Sequence, residues 1–217
     1  MQKTSKKVAE RLSDITGRKM RVLPVEKGEL NHFIGQYIPS GPERILISPL
    51  YWEYNCSIDS DYQDYFADCH ETSDDLAELL KMSPEQMYRH TVEETLAHEY
   101  AHCLFFHRYF HRLKAAKKRI ISLNEAFACW MNDVYEEREH FPSHARLRPD
   151  CRQVLFDYIQ IKKFQAEHGI EHLLQHYVSI ANKFVKKDVK QKSALRKSVI
   201  RDLEKLFKSR KQVNRIK

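Results

Sequence analysis

Two histidines four residues apart, His98 and His102, enclose Glu99, Tyr100 and Ala101, and the run Asn124-Glu125-Ala126-Phe127-Ala128 follows downstream. Residues at that spacing share one face of a helix, so both imidazoles converge on a single point. Neutral ring nitrogen is a ligand type that Zn²⁺ favours. Glu99 stands one step round the helix, beside such an ion rather than on it. That placement suits a general base for an activated water. A zinc site open to chemistry needs a third protein ligand and a free fourth position. Glu125 is the candidate, because Ser122-Leu123-Asn124-Glu125 opens a second apolar-periodic segment, Ala126 to Tyr135, whose first turn could project a carboxylate back at the first. The expected metal set is His98, His102 and Glu125 with Zn²⁺ as cofactor, and Glu99 is the expected catalytic residue.

The flanks allow the helix that this chemistry needs. Ser83 is a plausible N-cap, Pro84 suits the first helical position, and Glu85 and Gln86 fall in the first turn. No further Pro or Gly interrupts the chain until Pro142, and Leu96, Ala97, Ala101, Leu104 and Phe105 give the segment a broad apolar face. The basic stretch Lys114 to Arg119 reads as an exposed turn between the two helices.

The paired motifs HEYAH and NEAFA resemble the gluzincin class of metallopeptidases, with the match confined to about residues 91 to 137. The resemblance implies zinc held by His98, His102 and Glu125, Glu99 as base, and hydrolysis of a peptide or protein substrate, by endopeptidase rather than exopeptidase action. Thermolysin-like gluzincins carry an Asp four residues after the ligand Glu, to support a ligand histidine. Here that position is Cys129, and Asn132, Glu136, Thr91 and Glu94 are the alternative supports. The family also uses a downstream His or Tyr to stabilise the oxyanion, for which His140, His144, His172 and Tyr158 all stand open. The run from His98 to His107, HEYAHCLFFH, with Glu125-Ala126-Phe127-Ala128, also resembles the repressor-cleaving HExxH peptidases, which act on DNA-bound protein. A third reading is a zinc-stabilised binding module without turnover.

Ahead of the motif, Lys7 to Ile15 has the pattern of an amphipathic helix ended by Gly17. Met20 to Val25, His32 to Ile38 and Arg44 to Ser48 read as short strands. The expected class is α+β and zincin-like: a small N-terminal mixed sheet with the active-site helix, then a helical C-terminal part. The boundaries are a metallopeptidase domain over 1–150 and helices with a basic tail over 151–217. In gluzincins an edge strand binds extended peptide. Ile45-Leu46-Ile47 is the candidate for that strand, or an ordinary core strand.

Composition frames the rest. The chain has 217 residues, 42% of them hydrophobic, enough for a sizeable core. It shows no signal-peptide pattern and no apolar run long enough to span a membrane, so a cytoplasmic location is expected. Five cysteines, Cys56, Cys69, Cys103, Cys129 and Cys151, show no CxxC spacing and are expected as thiols. His107 and His111 fall on the far side of the helix from His98. His168, His172 and His176 form another spaced set, read as helix-face polar residues before a second metal site. Residues 51 to 80 are acidic and aromatic and read as a loop and short helix over the cleft. Residues 183 to 217 contribute +11 to a whole-chain charge of +7, which leaves −4 for the remainder. Leu195, Val199, Leu203 and Leu206 set an apolar stripe on that tail, whose basic face is read as solvated, as a nucleic-acid or anionic-surface contact, or as a cover for the cleft.

Overall fold

The computed structural model describes residues 1–30, 34–52, 83–137 and 152–186. In chain order they form α1 (Gln2–Thr16), β1 (Val25–Lys27), β2 (Gly35–Ile38), β3 (Arg44–Ile47), a short α2 (Pro49–Trp52), α3 (Pro84–Arg108), a 3₁₀ turn (Phe110–Arg112), α4 (Lys117–Glu136), α5 (Arg152–His168) and α6 (Ile170–Lys186). The class is α+β, mostly helical, with the small mixed sheet at the N-terminal end. Cys56, Cys69, Cys151, His140, His144, the acidic stretch beyond Trp52 and the apolar stripe of the basic tail lie outside the described residues.

Local chemistry starts and stops the first two long helices. Ser83 takes extended backbone angles and its side chain accepts the Gln86 amide hydrogen, while the Gln86 side chain accepts that of Ser83 at 2.8 Å. This reciprocal capping box, with Pro84 at the first position, begins α3 where the sequence predicts. Gly17 ends α1 in the left-handed region at φ 62°, which a side chain would disfavour.

The sheet has the order β1-β3-β2, with β1 parallel and β2 antiparallel to β3. This corrects one expectation: Ile45-Leu46-Ile47 is the central strand, bonded on both sides, and cannot offer an edge to a peptide. Ile45 and Ile47 are fully buried, as the core-strand alternative requires. The first strand also starts later than the pattern suggests, at Val25, because the partner for pairing begins at Ile45, whose amide is taken by the Pro24 carbonyl.

Residues on the inner face of the sheet, Val25, Tyr37, Ile45 and Ile47, share one core with Leu96, Tyr100 and Ala101 of α3. Tyr100, inside the histidine motif, has no exposure and ties three segments together. Its hydroxyl pairs with Ser5 of α1 and accepts the Leu23 amide hydrogen, both at 2.8 Å. On the other side of α3, Phe105, Tyr109, Phe127 and Tyr177 stack with centroids 4.8 to 6.1 Å apart and join α3 to α4 and α6.

Helix α4 departs from expectation at its start. It begins at Lys117, not near Ser122, so Glu125 lies well inside the helix rather than in its first turn. Arg119 is the cause. Instead of ending an exposed turn, it points inward and pairs with the fully buried Asp157 of α5, drawing the preceding turn into the helix. Lys117 and Lys118 remain exposed, as expected. Among the described residues no helix is long and apolar enough to cross a membrane.

Candidate metal centre

Helices α3 and α4 pack side by side and bring Glu125 to the two motif histidines. The Nε2 atoms of His98 and His102 lie 3.6 Å from Oε2 and Oε1 of Glu125, respectively. Two ligand atoms each about 2.0 Å from one tetrahedral ion stand about 3.3 Å apart, so this spacing fits a shared cation. The imidazoles are perpendicular with centroids 4.7 Å apart, as i and i+4 side chains leaning over one point should be. Glu125 keeps 42% of its side-chain exposure, which leaves this side of the cluster open to solvent.

The electrostatics also suit a cation. Burial alone would lower the pKa of His98. The Glu125 hydrogen bond and the negative charges of Glu99, Glu125 and Glu94 outweigh it and leave the pKa raised. Several carboxylates around two imidazoles form a donor set that a divalent cation would neutralise.

Asn124 is the supporting residue that sequence reasoning missed. Its Oδ1 lies 2.9 Å from Nδ1 of His102, and as a carbonyl oxygen it accepts a proton from Nδ1, an arrangement that suits metal binding through Nε2. The signal was present in the motif, since Asn124 immediately precedes the candidate ligand. Of the other residues named for support, Glu94 places its negative charge near His98. Asn132 donates to Glu94 at 3.2 Å and Glu136 lies 3.6 Å from Nδ1 of His90. Cys129 brings no charge to the centre, because burial, with the nearby charges of Glu125 and Asp133, holds its thiol protonated. Replacing Asn124 by Ala is expected to weaken zinc affinity about 10- to 100-fold, read by competition against a chromophoric chelator. Unchanged affinity would remove Asn124 from the support of His102.

Glu99 also brings a carboxylate oxygen within 4.8 Å of the ligand atoms of both histidines. Its placement differs from that of Glu125. It is only 5% exposed, and its Oε2 accepts the backbone amide hydrogen of Tyr37 at 2.6 Å. One Glu99 oxygen is thus committed to β2, while Glu125 meets the two Nε2 atoms through its two oxygens.

The remaining histidines and tyrosines lie in other surroundings. His107 meets Glu43 at 2.5 Å on an exposed face, and Glu43 also accepts from Tyr37 and Arg21. Tyr158 is buried with its hydroxyl donated to Asp133, so it is engaged in the α4–α5 interface. His172 stacks on Phe164 and His176 along the exposed side of α6. His98, Glu99 and His102 are the one group of three or more clustered His, Cys, Asp or Glu ligands found among the described residues. No family model, curated protein or solved structure matches the chain, so the candidate metal centre rests on this geometry alone.

Proposed function

We propose that the chain is a zinc-dependent peptidase, acting through His98, His102 and Glu125 as ligands and Glu99 as general base. The observation that carries the reading is the convergence of both Nε2 atoms on the two oxygens of one partly exposed carboxylate, at 3.6 Å each, with a buried glutamate alongside. Zinc held there supplies a Lewis acid that polarises a peptide carbonyl and acidifies water. Glu99 takes the proton of the attacking water on its carboxylate and delivers it to the leaving nitrogen. The C–N bond breaks to give a carboxylic acid and an amine. Tyr37 orients Glu99 from behind, through its amide. Asn124 holds His102 in the tautomer that leaves Nε2 to bind metal.

Metal analysis of the purified protein tests the assignment. Zinc should bind one per chain, and His98→Ala, His102→Ala or Glu125→Ala should abolish tight binding, since each leaves a two-ligand site. Equal zinc content in the wild type and these variants would sink it. Turnover of a broad peptide library separates a peptidase from a zinc-stabilised binding module.

A further inference from the structure

Gly35 needs no unusual backbone angle, since the positive-φ glycines among the described residues are Gly17, Gly41 and Gly169. Its lack of a side chain serves another purpose. Gly35 pairs with Ile47 and so lies on the inner face of β2, directly over α3. A Cβ built there would fall 2.5 Å from Cγ2 of Thr95, 3.2 Å from Cγ of Glu99 and 3.3 Å from its Oε1. The first distance is far inside van der Waals contact. Thr95 is β-branched within a helix, so few rotamers are open to it and its methyl group has little room to yield. A side chain at position 35 would therefore lift the strand.

Two residues along, that same strand supplies the amide that holds Glu99. The Ser48 amide bonds to the Ile34 carbonyl, and in an antiparallel pair such bonds alternate, so the Tyr37 amide points away from β3 and is free to reach α3. It reaches Oε2 of Glu99 at 2.6 Å, a short, charge-assisted contact. We infer that Gly35 is a positioning residue for the hydrolysis proposed above: its missing side chain seats β2 against α3, so that the Tyr37 amide fixes the Glu99 carboxylate. The inference rests on that reading. With one oxygen held, the carboxylate cannot rotate freely. Lifting the strand releases it without touching His98, His102 or Glu125.

The test uses the zinc-loaded full chain as wild type, Gly35→Ala, Thr95→Ser and the double variant, because Thr95→Ser removes the methyl group that the new Cβ would strike. The first measurement is the amide proton resonance of Tyr37, which a short bond to a carboxylate shifts downfield. It should move upfield in Gly35→Ala, return in the double variant, and move in Glu99→Gln. The second is turnover of a short peptide. Gly35→Ala should lower kcat about 10- to 100-fold with KM and zinc content held within about twofold, as misplacement of a reacting group does. Thr95→Ser alone should change little, and the double variant should regain most of the lost kcat. An unshifted Tyr37 amide in Gly35→Ala, or a kcat loss that Thr95→Ser does not relieve, overturns the inference and leaves the peptidase reading standing. Failure of both alanine-bearing variants to fold also overturns it, since the Cβ would then be a general packing defect. Absence of cleavage by the wild type overturns the peptidase reading and with it any role for Gly35 in turnover.

Discussion

Glu99→Gln should keep its zinc and its fold while peptide cleavage falls by about 10²- to 10⁴-fold, the usual contribution of a positioned acid–base group. The amide oxygen of Gln can still accept the Tyr37 amide hydrogen that Glu99 accepts at 2.6 Å, so the strand contact survives. What it cannot do is take a proton from water and pass it to the leaving nitrogen. The proposed ligand set is untouched, because Glu125 rather than Glu99 meets the two Nε2 atoms through its two oxygens. The loss should therefore appear in kcat, with zinc content by metal analysis equal to that of the wild type. Turnover within a factor of a few of the wild type would remove Glu99 from the mechanism. Zinc lost along with activity would instead make it a ligand.

Asp157→Ala should destabilise the protein by about 3–5 kcal/mol, the cost of stranding one member of a buried ion pair. The Arg119 guanidinium faces the Asp157 carboxylate through two nitrogens, with Nη2 to Oδ1 at 2.6 Å, and Ser122 adds a hydrogen bond at 3.2 Å. Asp157 is fully buried, and that burial pushes its carboxyl pKa up in spite of the Arg119 charge and the hydrogen bonds. The pair is thus held in place against a desolvation cost. Joint replacement, Arg119→Met with Asp157→Leu, should recover most of the loss, because neither charge is then left alone in the interior. Urea unfolding of the single and double variants reads both numbers. A single-variant loss below about 1 kcal/mol would show the pair to behave like a solvated surface contact.

Features set by neighbours in the chain are legible in the sequence alone. The capping box of Ser83 and Gln86, the stop at Gly17 and the shared face of His98 and His102 all depend on residues within about one turn, where backbone geometry dictates who meets whom. Glu125 can be singled out by residue type and apolar periodicity, but not its place inside α4. The start of that helix is moved by Arg119, whose partner Asp157 is 38 residues away.

Strand order is illegible for the same reason. Ile45, Leu46 and Ile47 carry the same pattern whether their strand is central or at the edge, and only pairing with both β1 and β2 decides it. Asn124 is visible as a residue, whereas its contact with His102 depends on how α3 and α4 pack. The hold on Glu99 is the least accessible of all, because it comes from the backbone amide of Tyr37, a donor that almost any residue would carry. The sequence by itself determined which side chains could bind a metal and move a proton. Tertiary structure decided how each carboxylate meets the histidines, Glu125 through both oxygens and Glu99 with one oxygen held by the Tyr37 amide, because that arrangement is made by the packing of two helices and one strand across distances that local propensity does not reach.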